Sequence, residues 1–145
     1  MDGAGRLDLV IRGGTVYDGT GAPGIRADVG VRGDRIVAVG ATAGHAAAEL
    51  DASGLAVAPG FIDVHTHDDF AVLLEPAMGF KVLQGVTSDV VGNCGSGVVP
   101  FEAGLRRFRR LHPGADPRPW EGFAGYLERV GEARPSCRAR PSSTG

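Results

Sequence analysis

The spacing of hydrophobic positions changes near residue 58 and divides this chain into two parts. In residues 28–32 and 35–40, apolar and polar or small residues alternate on either side of the turn Gly33-Asp34. Such alternation around a glycine-bearing turn is typical of a β-hairpin. Further short apolar runs, in residues 7–11 and 55–58, lie next to glycine-rich turns. We therefore predict a β-rich segment over residues 1–58, with a strand that stops at Gly13-Gly14.

From residue 59 the pattern alternates between strands and helices. Apolar runs predict strands over residues 61–64 and 86–91, and we expect the first strand to continue to residue 67. Apolar residues spaced three and four apart predict helices over residues 73–83, 101–111 and 120–130. An order of strand, helix, strand, helix indicates parallel βα units, so we predict the opening of an α/β domain over residues 59–130.

The last segment, residues 131–145, has no hydrophobic period and few apolar residues. Such a composition is typical of a solvated terminus. We predict a disordered tail.

Composition narrows the class of protein. The 15 Lys and Arg are balanced by 17 Asp and Glu, and the net charge of −2 favours no nucleic-acid partner. No apolar run approaches the ~20 residues of a membrane span, and the N-terminus does not resemble a signal peptide. The two cysteines make no disulfide framework. We expect a cytoplasmic protein with no membrane or nucleic-acid partner; the composition does not indicate an oligomeric state.

Candidate metal ligands follow the strand predicted at residue 61. On a strand, side chains two apart share a face, so Asp63, His65 and His67 would lie together. Two neighbouring imidazoles can bind one metal ion, and zinc or another divalent first-row metal suits them. The alternative is a pair of surface histidines at a strand end. The apolar residues before the pair and the βα pattern after it favour a metal site.

Two nearby residues have two interpretations each. Asp63 either accepts a hydrogen bond from a histidine ring, as supporting residues of metal sites do, or bonds to the backbone. Cys94 follows the second strand, in Gly92-Asn93-Cys94-Gly95. If the two strands are parallel neighbours, its thiolate lies at the same edge as the histidines and is a third ligand. The alternative is a small buried hydrophobic residue, which is the usual environment of a free cysteine.

Three segments together resemble the start of an enzyme of the amidohydrolase superfamily: residues 11–21, residues 59–68 and the sequence Gln84-Gly85-Val86-Thr87. The segment Val90-Val91-Gly92-Asn93-Cys94-Gly95 is similar to that of the N-acyl-D-amino-acid deacylases, also called D-aminoacylases. The resemblance implies a metal-dependent TIM barrel preceded by part of a small β-sandwich. It also implies that His65, His67 and Cys94 bind the metal ion.

The implied reaction is hydrolysis of an N-acyl-D-amino acid, a small-molecule substrate, to a carboxylate and a free D-amino acid. Relatives that share the early motif cleave cyclic amides such as hydantoins and dihydroorotate, and the cysteine argues against that activity here. The family's two further histidine ligands and its aspartate general base would lie downstream. We therefore assign no catalytic proton-transfer residue in this chain.

A TIM barrel needs about 250 residues, and this chain has 145. We therefore hypothesise a truncated product whose tail, residues 131–145, is an unrelated extension. A catalytically inactive fragment is the alternative to an active deacylase.

Overall fold

A computed structural model describes residues 6–42 and 45–141 of the chain. Its internal contacts divide the chain into two compact units, Met1–Pro59 and Gly60–Gly145. The division falls one residue after the boundary expected from the hydrophobic pattern. The first unit is built from strands, and the second is mixed α/β.

The first unit is a single five-stranded sheet. Its strands are β1 (Leu7–Val16), β2 (Ile25–Arg32), β3 (Arg35–Gly40), β4 (Ala46–Asp51) and β5 (Ala56–Val57). The order is β3-β2-β1-β4, and β5 also pairs with β1. The β2–β3 hairpin around Gly33-Asp34 confirms the predicted turn, and β4 and β5 run parallel to β1.

The predicted strand break at Gly13-Gly14 is wrong, because β1 continues through it as a bulge. The register with β2 shifts between Ile11 and Gly14, and Gly13 has a φ of 66°. The Gly13 N–H donates to Asp28 Oδ1 at 2.9 Å. A bulge absorbs extra residues without ending a strand, so the glycines mark a local kink.

The second unit alternates strands and helices, as predicted. Its elements are β6 (Phe61–Asp63), α1 (Ala71–Leu74), α2 (Gly79–Val82), β7 (Val86–Val91), a 3-10 turn (Asn93–Gly95), α3 (Phe101–Phe108), α4 (Gly122–Ala133) and β8 (Arg138–Pro141). The sheet has the order β6-β7-β8, and both pairings are parallel. In the described part of the chain, none of the helices is both long and apolar enough to cross a bilayer.

The single helix predicted over residues 73–83 is instead two short helices, α1 and α2. Pro76, between them, has no N–H to donate to a helical hydrogen bond. Met78 has a left-handed backbone with a φ of 49°, which turns the chain into α2. The Pro76 carbonyl accepts a hydrogen bond from the Ser136 N–H at 2.8 Å.

The structure differs from the predicted disordered tail over residues 131–141. Residues 131–133 complete α4, and β8 pairs with β7 from Ser88↔Arg138 to Val91↔Pro141. Cys137 is fully buried and Ala139 packs on the core, whereas Arg138 and Arg140 are exposed. Cys137 precedes the strand and Ala139 lies within it, so backbone pairing rather than apolar content defines β8. Residues 142–145 lie outside the described residues.

A hydrophobic core fills the space between the parallel sheet and the helices of the second unit. Its buried members are Phe70, Val72, Met78, Val91, Val98, Leu105, Trp120, Tyr126, Val130 and Cys137. Two buried polar groups bond to backbone carbonyls: Trp120 Nε1 donates to Val98 O, and Tyr126 Oη donates to Asp69 O, both at 3.0 Å. These bonds fix α4 and the segment before it against the loops that follow β6 and β7.

We expect Gly104→Ala, in α3, to lower the free energy of unfolding by about 1–3 kcal/mol. An added Cβ would lie 2.6 Å from the Gly97 carbonyl oxygen and 3.2 Å from the Phe70 ring. Gly131→Ala, in α4, meets no atom within 4 Å and should raise the free energy by about 0.5–1 kcal/mol, because alanine favours a helix. Urea denaturation followed by circular dichroism measures both. Equal shifts for the two variants would contradict this packing.

A buried carboxyl group in β7 should make stability depend on pH. Asp89 is 1% exposed, and the thiol of Cys137, a weak hydrogen-bond donor, lies beside its carboxyl group. Burial raises the pKa of Asp89, and the Lys81 ammonium, 3.7 Å away, partly offsets that rise. The folded protein therefore binds this proton more tightly than the unfolded chain does.

The stability contributed by this proton is lost as pH rises from the unfolded pKa of about 3.9 through the higher folded value. We expect Asp89→Asn to remove this contribution. The difference in unfolding free energy, variant minus parent, should then increase with pH across that window. Urea melts at several pH values between about 4 and 7 measure it. A difference that stays constant would show that Asp89 ionises equally in both states.

Candidate metal centre

The two histidines lie in a turn after β6, not on the strand itself. The predicted strand over residues 61–67 ends at Asp63, so the shared strand face expected for His65 and His67 is wrong. Asp63 Oδ1 accepts the His65 N–H at 3.1 Å, a bond across two residues that favours a turn over an extended strand. The rings nevertheless converge, with centroids 5.8 Å apart and planes at 85°.

Cys94 reaches the histidines from the loop after β7. The backbone is left-handed at Gly92, Cys94 and Gly95, with φ values of 86°, 56° and 64°. A non-glycine residue in this region costs about 1–3 kcal/mol, and such strain is often found at functional sites. The turn keeps the Cys94 side chain exposed and brings its Sγ to 3.1 Å from His65 Nε2.

The three candidate ligands meet at one place. Ligand atoms of His65, His67 and Cys94 lie within 4.8 Å of one another, and all three residues are exposed. No other group of three or more His, Cys, Asp or Glu within residues 6–42 and 45–141 converges in this way. The exposure of Cys94 contradicts the alternative interpretation, in which it is a small buried hydrophobic residue.

The donor set fits a zinc ion. Zinc lies about 2.0–2.1 Å from a histidine nitrogen and about 2.3 Å from a cysteine sulfur, so two of its ligands are at most about 4.4 Å apart. The 3.1 Å between His65 Nε2 and Cys94 Sγ lies within that limit. The remaining ligand separations need at most a small rotation of exposed side chains.

Asn93 connects the two loops that supply these ligands. Its Nδ2 donates to Thr66 O at 3.3 Å and to Val90 O at 2.7 Å. Thr66 lies between the two histidines, and Val90 lies in β7. One amide therefore ties the histidine loop to the strand that precedes Cys94. Sequence reasoning gave Asn93 no role, although the amide adjoins the candidate cysteine.

Asp63 bonds to Lys81 and to the backbone. Its Oδ2 accepts from Lys81 Nζ at 2.6 Å, and its Oδ1 accepts the His65 N–H. The Lys81 hydrogen bond, followed by that of the His65 backbone, lowers the pKa of Asp63. Of the two interpretations of Asp63, the bond to the backbone is the one observed. Among the described residues, Asp63 accepts no hydrogen bond from a histidine ring.

Lys81 was not singled out by the sequence, because a lone lysine in a helical pattern reads as solvated. Its side chain is only 12% exposed, and Nζ lies 2.6 Å from Asp63 Oδ2 and 2.8 Å from Asp68 Oδ2. Burial alone would lower the pKa of Lys81, but the hydrogen bonds to these two carboxylates outweigh it and raise the pKa.

A cleft of about 220 Å³ opens beside His67. Its lining residues are His67, Asp69, Phe70, Ser96, Gly104, Arg107, Phe108, Leu111 and His112. The Phe70 and Phe108 rings stack at 5.0 Å, and Arg107 donates a hydrogen bond to the Gly95 carbonyl. The cleft thus combines an aromatic wall with a guanidinium group next to a candidate ligand.

Asp69 is one of the residues that line this cleft, and it is 2% exposed. Its Oδ1 accepts the Gly92 N–H at 2.8 Å, which ties the histidine loop to the start of the cysteine turn. Burial raises the pKa of Asp69 above its usual range. Asp69 and Asn93 together fix the position of the histidine loop relative to the cysteine loop.

Comparisons with known proteins agree with the motifs. A sequence model described as the Amidohydrolase family matches residues 48–130. The D-aminoacylase of Alcaligenes xylosoxydans xylosoxydans is 55% identical over 136 residues, which cover 84% of this chain and 26% of that protein. The N-acyl-D-glutamate deacylase of the same organism is 55% identical over 96 residues, covering 66% of this chain and 20% of that protein.

A solved structure is also similar. The N-acyl-D-glutamate deacylase of Bordetella bronchiseptica, crystallised with zinc and a phosphonate inhibitor that mimics the tetrahedral intermediate, superposes with a TM-score of 0.78. It is 38% identical, and the match covers 94% of this chain and 29% of that one. The chain therefore spans between a fifth and a third of the length of these relatives. It belongs to the amidohydrolase family, in which it is similar to D-aminoacylase and N-acyl-D-glutamate deacylase.

Proposed function

We propose that His65, His67 and Cys94 bind one divalent metal ion, zinc in the first instance. The observation that supports this most directly is the convergence of their ligand atoms within 4.8 Å, from two loops joined by Asn93 and Asp69. Two nitrogens and one sulfur match the donors that zinc prefers, and three protein ligands leave a fourth position open for a catalytic role.

We further propose that the site serves hydrolysis of the amide bond of N-acyl-D-amino acids. The names of the similar proteins, D-aminoacylase and N-acyl-D-glutamate deacylase, support this reaction class. A zinc ion held there would polarise the amide carbonyl and lower the pKa of a water molecule. The residues of this chain hold the ion and orient the ligand loops, and none of them is assigned a proton-transfer step.

The fold supports a place within a larger enzyme. We propose that β6, β7 and β8, with the helices between them, are the first strands of a TIM barrel, and that β1–β5 are part of a small β-sandwich. The parallel order β6-β7-β8 and the ligands after β6 and β7 support this, because TIM barrels carry their chemistry at the carboxyl ends of the strands. A barrel takes about 250 residues. The alternative is a chain that binds metal but has no hydrolytic activity on its own.

The cleft beside His67 supports a small amphiphilic substrate. Phe70 and Phe108 offer an apolar wall for an acyl chain or side chain, and Arg107 offers positive charge for a carboxylate. An N-acyl amino acid has both features. A cyclic amide without a carboxylate would leave the guanidinium unused, which makes a hydantoinase-like activity the weaker candidate.

The metal site is tested by titrating the chain with cobalt(II), which reports thiolate ligation by its absorption in the near ultraviolet. We expect one ion per chain. His67→Ala should weaken metal binding at least about 100-fold, because replacing even a residue that only supports a ligand lowers metal affinity about 10–100-fold. Cys94→Ser should abolish the thiolate band, whereas His45→Ala, at an exposed histidine of the first unit, should change neither measurement. Binding unaffected by His67→Ala would contradict the proposed ligand set.

The reaction class is tested in a complete barrel, with residues 7–133 of this chain replacing the matching segment of the Alcaligenes D-aminoacylase. We expect the chimera to hydrolyse N-acetyl-D-amino acids and not their L-enantiomers. His67→Ala within it should lower kcat/KM at least about 100-fold, because the metal supplies several kcal/mol of transition-state stabilisation. His45→Ala is the matched control. A folded, metal-loaded chimera without activity would contradict the proposed reaction.

A further inference from the structure

Lys81 makes an unusual set of contacts for a lysine on a short helix. Its Nζ lies 2.6 Å from Asp63 Oδ2, 2.8 Å from Asp68 Oδ2 and 3.1 Å from Thr66 Oγ1. These three residues bracket His65 and His67 in the chain. The ammonium group therefore contacts the histidine segment before, between and after its two candidate ligands.

The residues that contact Lys81 also form hydrogen bonds within the histidine segment. Asp63 uses its second oxygen to accept the His65 N–H, and Thr66 Oγ1 donates to Asp68 Oδ2 at 2.5 Å. The segment has no strand or helix over residues 64–67 to fix it. Side-chain bonds centred on one ammonium therefore take the place of secondary structure there.

The negative charges around Lys81 require a positive charge at this position, which an apolar side chain would not supply. Asp63 and Asp68 converge on it, and buried Asp89 lies 3.7 Å away on β7. Like charges this close repel one another strongly in a partly buried site. Without the ammonium, the carboxylates would separate or draw in water, and the segment between Asp63 and Asp68 would move with them.

We propose that Lys81 is a positioning residue for the metal centre, which fixes the segment 63–68 so that the imidazoles of His65 and His67 face Cys94. This inference rests on the proposed function, namely metal binding by those three residues. Among the described residues, no hydrogen bond or ion pair joins Lys81 to His65, His67 or Cys94, and Lys81 does not line the cleft, so it acts through Asp63, Thr66 and Asp68. The role predicts that changing Lys81 alters metal affinity and ligand geometry.

The test is cobalt(II) titration of the full chain carrying Lys81→Met, Lys81→Arg or Arg129→Met. We expect Lys81→Met to weaken binding about 10–100-fold and to change the cobalt(II) ligand-field spectrum. Lys81→Arg keeps the charge and should stay within about fivefold of the parent, although a guanidinium differs in shape. Arg129→Met, the matched control, removes the ion pair with Glu132 on α4 and should leave affinity and spectrum unchanged.

Thr66→Val is a second test of the same contacts, which applies if Lys81→Met does not fold. It removes the Lys81 contact and the Thr66–Asp68 hydrogen bond, both of which belong to the cluster around Lys81, without altering any charge. We therefore expect it to weaken binding several-fold. Parent-like affinity and spectrum in folded Lys81→Met, or in Thr66→Val when Lys81→Met is unfolded, would overturn the positioning role. A parent chain that binds no cobalt(II) would instead refute the proposed function.

Discussion

The parallel pairing of β6 with β7 determines where the chemistry of this chain can lie. The register Ile62↔Ser88 and Asp63↔Asp89 brings the carboxyl ends of the two strands to the same edge of the sheet. His65 and His67 follow the first strand, and Cys94 follows the second. An antiparallel pairing would have put the cysteine at the opposite edge. Cys94 is 27 residues after His67 in the sequence, and the parallel strand direction brings it to the same edge of the sheet as the two histidines.

Loops, and not strands, carry the ligands to their final places. The His65 N–H donates to Asp63 where β6 ends, and the left-handed residues Gly92, Cys94 and Gly95 turn Cys94 back towards the histidines. Asn93 and Asp69 then tie the two loops together. A strained turn is stable only when its surroundings determine it. Here those surroundings are a pair of side-chain-to-backbone bonds from one loop to the other.

The sequence predicted the elements with strong periodicity and the residues of the candidate site, but not how they are arranged. The β2–β3 hairpin, β7 and the stripe of α4 have clear alternation or helical spacing, and they are present. β8 was missed because Ala139 within it and Cys137 just before it are too few apolar residues to indicate a buried strand. The break at Pro76 and the early end of β6 depend on single backbone groups. Lys81 was missed because its partners Asp63, Thr66 and Asp68 come together around it only in the folded chain.

Charge links the interior of the second unit to the candidate metal centre. The aspartates near Lys81, at positions 63, 68 and 89, outnumber the single ammonium, so this layer keeps an excess of negative charge when they are ionised. That excess lies directly behind the segment that carries His65 and His67, where it would favour a divalent cation over an anion. Burial raises the pKa of Asp89, and the negative charges of Asp68 and Asp63 raise it further. A proton on Asp89 reduces the repulsion among the three aspartates. A cation bound at the sheet edge would reduce the same repulsion by offsetting their negative charge.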